Sequence, residues 1–146
     1  MAKHISNMNQ LQAALMPTMV KMVDELAERV YETLNYFLQE YYNSYDPKSY
    51  RRQYDFLRSA VKVGPKIKGS KVTASVYIDT ESMDNYYNAT GFQVASWANQ
   101  GLHGGLNTNS KTTHVWDDTM RETVGNGELL KLAVEYLRSK GFSVRA

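Results

Sequence analysis

Apolar residues recur at every third or fourth position over the first third of the chain. The pattern covers Leu11–Tyr41, and charged residues fall between the apolar ones. This spacing places apolar side chains on one face of an α-helix. Pro17 lacks a donor N–H and crowds the preceding turn, which predicts a kink or a break into two helices near Met16. The sequence therefore predicts a helix over residues 18–42, preceded by residues 1–17 as an extension that is free to move.

The predicted helix carries more apolar surface than a small core can cover. At 1.5 Å per residue it is about 37 Å long, which exceeds the diameter of a small domain. Burial of apolar surface contributes about 25 cal/mol of favourable free energy for each Å², and surface left in water does not gain it. We expect a neighbouring subunit to cover this face through Leu11, Leu15, Met19 and Met22. The alternative is an N-terminal section that folds back or stays loose.

A short second helix is predicted after the long one. Asp46 would cap it, and Pro47 would occupy its first position, where a missing N–H costs nothing. Tyr50, Tyr54 and Leu57 are spaced to form its apolar face.

A β-hairpin is predicted next. Apolar and polar residues alternate over Val72–Ile78, which is typical of a strand with one buried face. Gly69 and Ser70 can close a hairpin with a strand over residues 59–67. Pro65 places that strand at the edge of its sheet.

The C-terminal half is predicted to hold two further helices. Residues 92–100 form a short one, and Glu128–Lys140 form an amphipathic one that Asn126 caps and Gly141 ends. Residues 142–144 are predicted to pair as a final strand.

The predicted elements belong to one domain of the α+β class over residues 1–146. It has a long N-terminal helix, a small antiparallel sheet with a β-hairpin packed against helices, and a C-terminal helix. The stretch HVWDDTM fits a strand end or a helical turn equally well.

The composition excludes several kinds of covalent link and active site. The chain has no cysteine, which excludes disulfides, thiol nucleophiles and thiolate metal sites. It has no apolar run of about 18 residues, and its first residues lack the apolar stretch of a secretory signal. We therefore expect a soluble protein without a membrane partner.

A glycine-rich stretch, WANQGLHGGLNTN over residues 97–109, raises the question of a metal site. His103 and His114 lie eleven residues apart, with Asp117 and Asp118 close behind. This spacing matches no helical or hairpin zinc pattern, and the loop lacks the GxxxxGK phosphate motif. Neighbouring carboxylates such as the two aspartates point in different directions on a regular backbone. We expect no metal, no cofactor and no enzymatic activity.

Charge divides the chain into two regions of opposite sign. Residues 47–71 hold eight basic residues and one acidic residue, 8 − 1 = +7, and the remainder holds 9 basic and 14 acidic residues, 9 − 14 = −5. The residues expected to face a partner are Arg51, Arg52, Lys66, Lys68 and Lys71. They can contact nucleic-acid phosphates, as in a small nucleic-acid-binding module. A solvated face, or contact with the acidic region of a neighbouring copy, fits the pattern as well.

Four short stretches follow the start of the long helix in order: NSYDPKSYRR, LRSAV, VASWANQGLHGG and YLRSKGF. Together with the predicted order of helices and hairpin, they resemble the small head-tail joining and tail-completion proteins of long-tailed bacteriophages. The resemblance extends from about Glu28 onward. In it, Arg51 and Arg52 correspond to polar contacts, and Tyr54 and Leu57 to packing positions.

This resemblance implies a structural protein of the virion without enzymatic activity. Members of that family form a ring, commonly six-fold, between the portal and stopper assembly of the capsid and the tail tube. The implied partners are further copies in a homo-oligomeric, hexameric ring, the adjoining stopper or connector protein, the tail-tube or terminator protein, and genomic DNA passing through the lumen. The implied location is the neck or tail of a virion assembled in the bacterial host cytoplasm.

The glycine-rich loop is then expected to be an assembly element. The expected contact residues are Trp97, Gly101, Leu102, His103, Gly104 and Gly105. Glycine permits positive φ and the close approach of a neighbour, and the other three residues supply packing and hydrogen bonds.

Overall fold

A computed structural model describes residues 5–44, 54–83, 89–102 and 113–145. Its elements are α1 (Met8–Asn43), β1 (Ala60–Lys68), β2 (Lys71–Ile78), α2 (Gly91–Asn99), α3 (Val115–Met120), a π-helical turn (Arg121–Gly125) and α4 (Glu128–Ser139). The predicted α+β class is confirmed. The stretch HVWDDTM, which the sequence left open, provides α3.

Helix α1 is one uninterrupted helix of 36 residues that passes through Pro17, so the predicted break near Met16 is wrong. It begins at Met8, because the side chain of Asn7 accepts a hydrogen bond from the backbone N–H of Gln10 at 2.9 Å. The carbonyl that Pro17 leaves without a donor belongs to Ala13, which is exposed to water. The hairpin packs along α1, and tertiary packing of this kind can outweigh the local preference of a single residue.

The core lies against the C-terminal half of α1. Its buried members are Leu34, Leu38, Tyr41, Tyr42, Phe56, Met83, Ala98 and Val115. They come from α1, the turn before β1, the segment after β2, α2 and α3, so these segments meet at one end of the long helix. The N-terminal half of α1 extends from this core as an arm, and the hairpin lies beside it.

The predicted hairpin is confirmed. Strands β1 and β2 pair antiparallel around Gly69 and Ser70, with a bulge between Val63 and Lys66. Val76 and Ile78 pack against the core cluster, so the face of the hairpin that carries them is turned toward α1. Their neighbours along the strand lie on the opposite face, because side chains alternate along a strand.

The predicted second helix differs from the structure. Its start, from Asp46 to Tyr50, lies outside the described residues, and the part that is described, residues 55–58, forms turns. Phe56, only 1% exposed, enters the core there, and Tyr42 accepts a hydrogen bond from the backbone N–H of Leu57 at 3.2 Å. The predicted helix placed Tyr54 and Leu57 on its apolar face and Phe56 on its polar face. In the structure Phe56 is the buried residue instead.

The two C-terminal helices agree with prediction, whereas the final strand does not exist. The side chain of Asn126 accepts a hydrogen bond from the N–H of Glu128 at 3.0 Å, but the N-cap residue of α4 is Gly127 at φ +77°, so the predicted cap lies one residue too early. After α4, the N–H of Phe142 donates to the carbonyl of Leu137 at 3.1 Å. This bond turns the chain back onto the helix end, so residues 142–145 form no regular structure.

Candidate functional site

An open apolar groove runs between the N-terminal part of α1 and the tip of the hairpin. We call it the N-terminal groove; it has a volume of about 350 Å³ and is lined by Met8, Leu11, Gln12, Leu15, Met16 and Met19 of α1 and by Ser70 and Val72 of the hairpin. Met8 is 75% exposed, and the apolar residues that follow it are half-buried. The groove is therefore apolar surface that the chain covers only in part.

The structure separates the four helical residues predicted to meet a neighbouring subunit. Leu11, Leu15 and Met19 line the N-terminal groove together. Met22 is buried and lies further along the same face of α1, where it lines a groove between α1 and α4. The apolar stripe in the sequence thus contributes to two surfaces in succession, because the helix is long enough to pass both the hairpin and α4.

The basic residues of the region 47–71 do not lie on one surface. Lys62 belongs to the hairpin face turned toward α1, and its Nζ lies 2.7 Å from Asp24 Oδ1 and 2.8 Å from Glu28 Oε2. These hydrogen bonds, first to Asp24 and then to Glu28, raise the pKa of Lys62. Lys62 is thereby committed to a contact within the chain.

Three other lysines form a cationic cluster on the opposite face of the hairpin tip. Lys68 lies directly across from Lys71, and Lys66 is two residues from Lys68 along β1. All three are exposed, and none pairs with a carboxylate in the part of the chain that the structure describes. Arg51 and Arg52, predicted to belong to the same patch, lie outside the described residues.

A second open groove, of about 230 Å³, lies between α1 and α4, and we call it the α1–α4 groove. Its apolar lining consists of Met22, Leu26, Leu132 and Tyr136, and its charged lining consists of Glu25, Glu28, Arg29 and Glu32.

The charges of the α1–α4 groove are unequally compensated. Glu28 pairs with Lys62, and Arg29 pairs with Glu128 at 3.5 Å. Glu25 and Glu32 form no ion pair within the described residues and leave the groove with a negative rim. This groove was not predicted from the sequence, although two glutamates seven residues apart on a helix lie on one side of the helix.

The described part of the glycine-rich loop closes α2. Gly101 is buried at φ +77°, and the N–H of Leu102 donates to the carbonyl of Trp97 at 2.8 Å. Tyr41 of α1 donates its hydroxyl to the carbonyl of Leu102 at 2.7 Å. Positive φ at Gly101 is thus used to end a helix and dock it on α1.

Contacts of this loop with a neighbour stay a prediction. Trp97 and Leu102 are half-buried, and each presents some surface. The other predicted contact residues, His103, Gly104 and Gly105, lie outside the described residues.

His114 joins two helices. Its Nδ1 lies 2.9 Å from the carbonyl oxygen of Asn99, and its backbone N–H donates to Asp118 at 3.0 Å. The side chain of Asn99 accepts a hydrogen bond from the N–H of Asp117 at 2.8 Å. Asn99, which the sequence did not single out, therefore connects the end of α2 with the start of α3. No group of three potential metal ligands occurs within the described residues. His103 lies outside the described residues.

No helix within the described ranges is long and apolar enough to cross a membrane.

The fold and its grooves define a small α+β protein with two open, partly apolar surfaces on a long helix. The chain belongs to the YomN family, whose model matches residues 7–139, from the cap of α1 to the last residue of α4. This is a phage-derived family of the Bacillus type, so the protein is phage-associated. No curated protein and no solved structure matches the chain.

Proposed function

We propose that this chain is a structural protein of a phage particle that assembles into a homo-oligomeric ring at the neck, where it joins the capsid connector to the tail. The observation that carries the proposal is the N-terminal groove, an apolar surface on an arm that extends from the core. Membership of a phage-derived family supports a role in a phage, and the resemblance to head-tail joining and tail-completion proteins supports the neck.

The arm of α1 carries apolar surface that the core does not cover. A helix of 36 residues is about 54 Å long, and the buried cluster contacts only its C-terminal half. Burial is worth about 25 cal/mol for each Å² of apolar surface, so a contiguous groove lined by leucine and methionine favours a partner. Methionine adapts to irregular contacts, which suits a surface that meets more than one virion component.

The proposal gives the chain no catalytic role and no cofactor. His114 contacts the carbonyl oxygen of Asn99 at the end of α2, and Asp118 accepts a hydrogen bond from the backbone N–H of His114 at the start of α3. The proposed partners are further copies, with six in the ring, the stopper or connector protein and the tail-tube or terminator protein, and the ring surrounds the passing DNA. The protein is then a virion component assembled in the bacterial host cytoplasm.

Self-association tests the first part of the proposal. In sedimentation velocity over a range of concentrations, the wild-type chain is expected to form oligomers, and Leu15→Glu, which places a charge in the N-terminal groove, is expected to shift it toward monomer. Ala13→Glu is the matched control, because Ala13 is exposed on the same turn but does not line the groove. A wild-type chain that is monomeric at every concentration argues against the ring.

Localisation tests the second part. Gold-labelled antibody against the chain is expected to mark the neck of purified phage particles, and mass spectrometry is expected to find the chain in them. Particles that lack the chain contradict a structural role in the virion.

A second candidate, a nucleic-acid-binding module, is favoured by one observation, the cationic cluster at the hairpin tip. Three lysines that contact phosphates would give a slope of log Kd against log salt of about 2.7. Fluorescence anisotropy with duplex DNA measures that slope, and Lys66→Glu/Lys68→Glu is expected to abolish it. Binding that does not depend on salt contradicts this candidate.

A further inference from the structure

We infer that neighbouring copies join head to tail, with the outer face of the β-hairpin of one copy seated in the α1–α4 groove of the next. The inference rests on the proposed self-assembly and adds to the N-terminal groove a second contact between copies. The outer hairpin face consists of Val61, Val63 and Tyr77 at its base and Lys66, Lys68 and Lys71 at its tip.

The outer hairpin face has the composition of an interface. Tyr77 is 43% exposed and lies across from Val61, so the base presents an apolar patch. At the tip, Lys68 faces Lys71 directly across the strand pair. Like charges in that position destabilise a hairpin, and a partner with negative charge relieves the repulsion.

The α1–α4 groove has the complementary composition. Its floor contains Met22, Leu26, Leu132 and Tyr136, which match the apolar base of the hairpin face. Glu25 and Glu32 on its rim are about 10 Å apart along α1, since seven residues rise 1.5 Å each. Lys66 and Lys68 are about 7 Å apart along β1, and lysine side chains are long enough to cover the difference.

Charge complementarity combined with an apolar patch favours a second copy over nucleic acid as the occupant. Phosphates would neutralise Lys66, Lys68 and Lys71 but leave Tyr77 and Val61 in water. The α1–α4 groove offers carboxylates and apolar side chains side by side. A chain that carries both a basic and an acidic surface provides its own partner.

The two surfaces cannot meet within one chain. The hairpin is fixed to α1 by the ion pairs of Lys62, and its outer face points away from that helix. Contact between two different surfaces on identical copies is heterologous, and such contacts close into a ring when the rotation between copies permits.

A charge exchange between two variants tests the inference. The first variant carries Lys66→Glu/Lys68→Glu, and the second carries Glu25→Lys/Glu32→Lys. Each alone brings like charges together at the proposed contact, so its self-association is expected to weaken by about tenfold or more in sedimentation velocity. An equal mixture of the two is expected to regain wild-type association, because each hairpin then meets a groove of opposite charge, and native mass spectrometry is expected to find alternating copies.

The control is Arg58→Glu/Arg145→Glu, which changes the net charge by the same amount as the first variant. Both arginines are exposed and lie outside the two surfaces. This variant is expected to associate like the wild type, and circular dichroism verifies that every variant folds.

The outcomes separate the inference from the proposed function. Wild-type oligomers that the charge variants leave unchanged, or a mixture that does not regain association, overturn the head-to-tail contact and leave the ring in place. A lysine variant that assembles normally but loses binding to duplex DNA also overturns it and assigns the face to nucleic acid. A wild-type chain that stays monomeric overturns both.

Discussion

Lys62 Nζ lies 2.7 Å from Asp24 Oδ1, and this contact joins the first strand of the hairpin to the middle of α1. A second carboxylate, that of Glu28, lies 2.8 Å from the same nitrogen. The side chain of Lys62 is 19% exposed, so the pair is partly shielded from water. This contact adds to the packing of the hairpin against α1.

Replacing Lys62 by methionine is expected to lower the urea midpoint of unfolding. The change keeps the length of the side chain but leaves Asp24 and Glu28 facing one another without a cation. Lys131→Met is the control, because Lys131 is exposed on α4 and forms no ion pair within the described residues. Equal midpoints for the two variants would contradict a structural role for the pair.

The ion pairs of Lys62 also predict that the stability of the fold decreases at high pH. Hydrogen bonds to Asp24 and then Glu28 raise the pKa of Lys62 above its ordinary value of 10.5. A raised folded-state pKa stabilises the protein fully below the ordinary pKa, and this stabilisation is lost as the pH rises through the raised one. The difference in unfolding free energy between wild type and Lys62→Met is expected to stay constant from about pH 7 to 9 and to shrink only above 10.5. A difference that shrinks at neutral pH would assign the effect to another group.

Phe56→Ala is expected to destabilise the fold by about 3–5 kcal/mol, since it empties a fully enclosed aromatic site in the core. Phe56 packs edge to face on Tyr41 and stacks with Tyr42. Tyr54→Ala is the control, because Tyr54 is 47% exposed. Urea unfolding measures both, and a Tyr54 variant as unstable as the Phe56 variant would favour the helical arrangement that the sequence suggested.

Pro17→Ala is expected to stabilise the protein by about 2 kcal/mol. A helix-interior proline costs about 3 kcal/mol, and its restriction of the unfolded chain returns up to about 1 kcal/mol. Thr18→Ala serves as the neighbouring control, with a change of a few tenths of a kcal/mol. Pro17→Ala without a gain in stability would mean that the helix is interrupted at this residue.

Gly91→Ala is expected to destabilise the protein by about 3 kcal/mol or more. A Cβ at this buried position would collide with the carbonyl oxygen of Thr80 and lie 3.0 Å from Cβ of Met83. Gly125→Ala is the matched control, since its Cβ would have its nearest neighbour, the carbonyl oxygen of Met120, at 3.7 Å. Similar thermal midpoints for the two variants would contradict the close packing of α2 against the segment that precedes it.

The elements that the sequence predicts correctly are those that neighbouring residues determine. The β-hairpin follows from alternation and a Gly-Ser turn, and α4 follows from Asn126 and one apolar face. Pro17 is the opposite case, because its local preference predicts a break, yet α1 continues through it and packs against a hairpin some 50 residues further along the chain.

The candidate site was predictable only in part for the same reason. Leu11, Leu15 and Met19 could be assigned to an exposed face from the length of their helix. The α1–α4 groove could not be predicted, because it forms only where α1 meets α4, and these helices are about a hundred residues apart in the sequence. The commitment of Lys62 to α1, which divides the basic region, likewise depends on tertiary contacts.

The bulged hairpin also limits how the protein can aggregate. A free strand edge offers N–H and C=O groups to any other strand, and polymerisation through such edges produces fibres. Pro65 has no N–H to offer, the bulge beside it bends the first strand, and the lysines at the tip repel the same segment of another molecule. At high protein concentration, these features oppose strand-to-strand polymerisation and favour association through side-chain contacts.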